Sequence, residues 1–150
     1  MSPVSEEGKA GDATAIRATA TKFFNAIESG DIATMKGLLT PDAAIWHNTD
    51  CAVTTREHTA AVLAGMVARI SDIHYADRRL DVFPGGFVQQ HVLEGRRIHD
   101  GEAVRLPAAL IARVVGDGDG TRLISRIDEY FDSAHQATFR KFIEVQTPKL

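Results

Sequence analysis

One cysteine, Cys51, stands among 150 residues, so the chain can form no internal disulfide and no multi-cysteine zinc site. Charge of one sign is not in excess either. Lysine and arginine number 17 against 20 aspartates and glutamates, with no basic run, which removes the electrostatic footprint of a nucleic-acid binder. No stretch approaches the roughly 18 consecutive apolar residues that a membrane-spanning helix needs. The opening residues, MSPVSEEGKAGD, lack an apolar centre and carry two glutamates, unlike a secretory signal. These absences lead to the expectation of a cytoplasmic protein that binds neither nucleic acid nor membrane. What is present is ordinary: 44% apolar and 25% charged residues, the make-up of a folded globular domain. A chain of this length removes roughly 70% of its unfolded surface from water as one domain, whereas two half-sized domains would each hold a poor core. The expected division is a disordered tail over residues 1–12 and a single domain over 13–150.

Apolar Ile16, Ala20, Phe23, Phe24 and Ile27 recur at three- and four-residue spacing, which predicts an amphipathic helix over 12–29, capped by Asp12 or Thr14. Asp31 can cap a second, short helix with Ile32, Met35, Leu38 and Leu39 inward, stopped by Thr40-Pro41. Residues 42–48, DAAIWHN, read as a strand. Thr54-Thr55-Arg56-Glu57 is a capping-box pattern, in which Thr54 and Glu57 satisfy each other's free amides; it opens a third helix to about residue 70.

Beyond that point the pattern changes to long extended runs over 74–83, 87–99, 103–115 and 122–132, broken by Pro84-Gly85-Gly86, Asp100-Gly101 and a Gly-Asp alternation from Gly116 to Gly120. Asp-Gly between two such runs predicts a type I′ hairpin turn, with positive φ at both positions. Leu106-Pro107 predicts an edge or a bend, because proline has no amide hydrogen for the ladder. A last helix over about 134–144 would bury Phe139, Phe142 and Ile143. Helices followed by a meander of long strands give an α+β fold: a cone-shaped α+β barrel, its curved, mostly antiparallel sheet wrapped around the N-terminal helices.

Strand parity then singles out titratable side chains. Ile127, Glu129 and Phe131 share one face, so Glu129 would sit among hydrocarbon, where desolvation raises a carboxyl pKa towards values useful for proton transfer. Phe87, Gln89, His91 and Leu93 share a face in the middle of another strand, and mid-strand polar groups must find partners or line a cavity. His47 can accept or donate a proton near neutral pH. Arg126 and Asp128 fall on the face opposite Glu129. Cys51 has no predicted base nearby and reads as an inert thiol.

Two stretches, Leu38-Leu39-Thr40-Pro41-Asp42-Ala43 running into Trp46-His47-Asn48, and Ile124-Ser125-Arg126-Ile127-Asp128-Glu129-Tyr130-Phe131-Asp132, resemble the SnoaL-like branch of the nuclear transport factor 2-like superfamily. That branch includes polyketide cyclases, ketosteroid isomerases and limonene-epoxide hydrolases. The resemblance runs from Thr14 to about Phe142. It implies a cone-shaped cavity for a small, largely apolar, cyclic molecule. The activity it implies is cofactor-independent proton transfer by an isomerase, cyclase, dehydratase or hydrolase.

The resemblance places His47 where the isomerases carry their aspartate base, and Glu129 where the epoxide hydrolases carry an acid–base aspartate. A one-residue shift instead matches Trp46 and Asn48 to the Tyr-x-Asn of the hydrolases, and parity forbids all three from facing inward together. The hydrolase arginine and aspartate fall on His91 and Leu93, so that pair is absent, and Phe23 and Phe24 occupy the helix region where the isomerases carry a tyrosine. The expected catalytic residues are His47, His91 and Glu129; Trp46, Asn48, Gln89, Phe131, Phe24 and Leu93 are expected to contact substrate. No metal or other cofactor is implied. The outer sheet face is expected to form a homodimer. The alternative is a non-catalytic ligand-binding or dimerisation module of the same superfamily.

Overall fold

A computed structural model describes residues 6–116, 118 and 120–146. Residues 1–5 of the expected tail, Asp117 and Asp119 of the Gly-Asp turn, and the side chains of Phe142 and Ile143 lie outside the described residues. The elements run α1 (Glu6–Glu28), α2 (Ile32–Gly37), β1 (Leu39–His47), β2 (Ala52–Thr54), α3 (Arg56–Arg69), β3 (Ile70–Phe83), β4 (Gly86–Arg97), β5 (Ala103–Gly116), β6 (Arg122–Phe131) and α4 (Ser133–Gln146). The fold is α+β. Its six strands form one curved, unclosed sheet in the order β2-β1-β6-β5-β4-β3. Every pairing is antiparallel except β1 with β6, which is parallel.

Helix α1 buries the predicted stripe, Ile16, Ala20, Phe23, Phe24 and Ile27, against the sheet. On the other side of that core lie Ile45, Phe87, Leu110, Ile124 and Ile127. A second cluster of Ile70, Leu93, Val104, Leu106 and Phe139 seats α4. Arg97, almost wholly buried, donates to both carboxylate oxygens of Asp100 (2.9 and 2.7 Å) and to the backbone oxygen of Thr138 (3.0 Å), which ties α4 to the sheet. The Arg97 hydrogen bond is the largest influence on Asp100 and holds its carboxyl at about 2.

Several local expectations are corrected. Helix α1 begins at Glu6, not at Asp12 or Thr14: no proline interrupts 6–12. Helix α2 ends at Gly37, and Leu39 already starts β1. Pro41 sits in the irregularity between Leu39 and Ala44, where the parallel ladder is interrupted and a missing amide hydrogen is tolerated. Strand β2 was not expected, being three residues long. The cap of α3 is Thr55, whose hydroxyl accepts from the His58 amide at 3.1 Å; Thr54 belongs to β2, and Glu57 pairs with Arg56 instead of reaching back.

The Asp100-Gly101 connection is not a type I′ turn. Only Gly101 has positive φ (+74°), and the loop is wider, closed by the Arg97 amide donating to Glu102 at 2.9 Å. Engagement of Asp100 by buried Arg97 holds it open. Pro107 lies in an interior strand, in unbroken register with β4. It sits one residue past the last β6 pair, Ala108 with Phe131, where the sheet offers an open side to a residue without an amide hydrogen.

Candidate functional site

The parallel register of β1 with β6 sets His47 opposite Glu129. Partners in adjacent strands project to the same face, and here Nε2 of His47 lies 3.2 Å from Oε1 of Glu129. Asn48 stitches the strand ends together beside this pair. Its amide donates to the Glu129 carbonyl (3.1 Å) and its Oδ1 accepts from the Phe131 amide (3.0 Å). The Phe131 ring packs against the His47 imidazole with centroids 5.7 Å apart. The two side chains keep 28% and 21% of their surface accessible, so the pair is sheltered yet reachable.

What reaches it is a cavity of about 410 Å³ between the sheet and helices α1, α3 and α4. Its apolar wall comes from Phe23, Phe24 and Ile27 of α1, Val62, Leu63 and Met66 of α3, Leu93, Leu106, Leu110 and Ile127 of the sheet, and Phe139 of α4. Exposed Asp50, Ala52, His58 and Ser133 mark the mouth. Polar side chains, among them Thr49, Thr59, Arg69 and Gln136, also line the cavity, and on its wall His47 and Glu129 bring a base and a carboxylate into contact.

The remaining expected site residues divide. Phe24, Leu93 and Phe131 line the cavity. Trp46 turns to the opposite face of the sheet, its ring edge against Tyr130 at 5.2 Å, because parity sends it outward once His47 points in. Asn48 is outside the lining, its carboxamide committed to the Phe131 backbone. Gln89 and His91 share the inner face of β4 as expected but lie buried in the core and outside the cavity lining.

The Gln89 side-chain nitrogen and His91 Nδ1 are 3.0 Å apart, and the His91 ring is wedged between Phe24 (5.3 Å) and Tyr75 (4.6 Å). Burial pushes the His91 pKa down to about 4, with the Glu129 charge opposing and Arg78 assisting, so the ring is neutral at physiological pH. Histidines 47 and 91 are thus not brought together. Among the described residues no three His, Cys, Asp or Glu side chains gather as a metal site would require. Nor is any described helix long and apolar enough to cross a membrane.

Sequence reasoning missed Tyr75 of β3, which also lines the cavity. Burial raises its hydroxyl pKa, and the negative charge of Glu129 acts the same way. Two bulges displace β3 from simple alternation, so spacing alone does not reveal which way Tyr75 points. The signal available was chemical: Asp72 and Asp77, residue types that tolerate positive φ, flank it.

The sequence matches the SnoaL-like domain over residues 20–123. The chain belongs to that family. Solved structures share the fold at low identity. PrhC from Penicillium brasilianum superposes with a TM-score of 0.73 at 15% identity, covering 90% of this chain and 91% of that one. A candidate polyketide cyclase from Xanthomonas campestris gives 0.71 at 17%, covering 85% and 97%. A protein with a ketosteroid isomerase-like fold from Catenulispora acidiphila, solved in complex with trimethylamine, gives 0.64 at 17%, covering 76% and 85%. No curated protein matches the sequence. At these identities the neighbours establish the SnoaL-like fold and leave the chemistry to the site.

Proposed function

We propose that this SnoaL-like protein is a cofactor-independent enzyme that moves a proton on a small, largely apolar, ring-bearing metabolite, with His47 as the base and Glu129 as its partner. The observation that carries this reading is the 3.2 Å contact between His47 and Glu129 on the wall of a 410 Å³ apolar cavity. A carboxylate beside an imidazole orients the ring and stabilises the cation formed when the ring takes a proton. Low polarity around the pair strengthens that interaction over its value in water. His91, sealed from the cavity and neutral, drops out of the proton path that parity alone would give it, and with Gln89 serves as a buried support for the wall.

A dimerisation module would be expected to fill its cone with side chains, and a ligand-binding module would need no base–carboxylate couple on its wall. The open volume and the sheltered couple favour the enzyme. Variants His47→Gln and Glu129→Gln, assayed for turnover against small cyclic ketones and enones, should each lose at least a hundredfold in rate while melting near the wild-type temperature. The double variant should lose little more, because groups that act as a unit are not additive. Full turnover retained in both single variants would remove the proposal.

A further inference from the structure

The structure assigns to Tyr75 the role of a hydrogen-bond donor that selects ligands carrying a carbonyl oxygen on a flat ring. The proposal deepens the reading of the cavity as a ligand site and rests on it.

Strand β3 delivers this side chain through two irregularities. Its register with β4 shifts between Ser71 and His74 and again between Ala76 and Arg79, and Asp72 and Asp77 take up the extra residues at φ +55° and +54°. Between them Tyr75 pairs with Leu93, itself part of the cavity wall. Glu28, at the end of α1, accepts the Tyr75 amide at 2.9 Å and the Arg78 guanidinium at 2.8 Å, while Asn25 accepts from Arg78 at 2.8 Å. Burial draws the Glu28 pKa upward, but the Tyr75 amide and Arg78 outweigh it and the carboxyl stays ionised. The ring is clamped edge-on by Phe24 (5.1 Å) and His91 (4.6 Å). Position and rotamer are therefore both fixed before any ligand arrives, which keeps the ordering cost of binding low.

The backbone, the ring and the bulge are all held, yet the hydroxyl donates to none of the described residues. The residue is half-buried and forms part of the cavity lining, so a molecule in the cavity meets it. Its raised pKa keeps the proton on oxygen at any physiological pH, and a phenol locked in that state gives a hydrogen bond. Tyr75 and Glu129 line the same cavity, so a ligand whose oxygen is held by Tyr75 shares that space with the His47–Glu129 couple. Phe23, Phe24 and Phe131 supply flat apolar walls suited to a ring.

The chain has two tyrosines, and the other, Tyr130, lies exposed on the far face of the sheet, which makes it an internal control. Protein labelled at the tyrosine ¹³Cζ is titrated with 1-tetralone and, separately, with tetralin, the same ring system without the oxygen. The Tyr75 resonance should move with 1-tetralone and not with tetralin, while Tyr130 stays still. Affinity for 1-tetralone should exceed that for tetralin, and Tyr75→Phe should reduce the former about tenfold and leave the latter unchanged. Failure of 1-tetralone to bind, equal affinities in the wild type, or a preference that survives Tyr75→Phe would overturn the assignment. These readouts need no turnover, so an inactive protein that still discriminates would sink the catalytic reading alone.

Discussion

A buried histidine on β4 and a sheltered one on β1, with two strands between them in one sheet, show how surroundings decide a side chain's use. His47 touches a carboxylate on the cavity wall, whereas His91 is packed between rings and bonded to Gln89. This difference has a measurable consequence for stability. Folding lowers the His91 pKa from 6.5 to about 4, so below pH 6.5 the unfolded chain binds a proton that the folded chain refuses. Stability contributed this way is complete above pH 6.5 and is lost as pH falls towards 4, up to about 3 kcal/mol in all. His74 works in the opposite direction. The Asp72 carbonyl and Glu94 raise its pKa, which adds stability in acid that disappears as pH climbs, but its ring is exposed and solvent screens it. Urea denaturation at pH 7 and pH 4.5 should therefore show a smaller acid loss for His91→Gln than for the wild type, and parallel losses would contradict the burial argument.

Elements were legible where periodicity is simple. The α1 stripe, the four long strands and the inward-facing Ile127–Glu129–Phe131 set follow from spacing of 3.6 or 2. The same parity left His47 and the Trp46/Asn48 pair as alternatives, because a nine-residue strand with one bulge has no independent marker of which face turns in. That choice is made by the parallel pairing with β6, a long-range contact. Tyr75 was hidden for a related reason. Each bulge in β3 inserts a residue and reverses the alternation, so Tyr75 and Leu80, an odd number apart, both pack towards the core. His91 was placed on the right face, but parity does not separate a cavity wall from the solid core beside it.

The start of α3 gives a direct test at this scale. Thr55→Ala should cost about 1 kcal/mol in chemical denaturation and Thr54→Ala distinctly less, since Thr55 holds the His58 amide. The reverse order would restore Thr54 as the cap.

Seen whole, the molecule is a curved sheet with two unlike faces. The inner one carries the cavity and the cores. The outer one presents Trp46 edge-on to Tyr130, an Arg126–Asp128 ion pair, and a second, shallower hollow of about 580 Å³ lined in part by Val92, Pro107 and Ala109. Tyr130, 46% exposed, is an unusual residue to leave in water beside a tryptophan. We propose that this face pairs two copies of the chain, burying on the order of 800 Å² per partner. Sedimentation of the wild type should give a dimer at micromolar concentration and Tyr130→Asp a monomer; a monomeric wild type would contradict it. The catalysis we propose, by contrast, would take place inside one copy, and one experiment bears on that most directly. Wild-type protein in deuterium oxide should speed the incorporation of deuterium next to the carbonyl of 1-tetralone, followed by proton NMR, and Glu129→Gln should fall to the uncatalysed rate with its fold intact. Equal exchange by the two proteins would contradict the account.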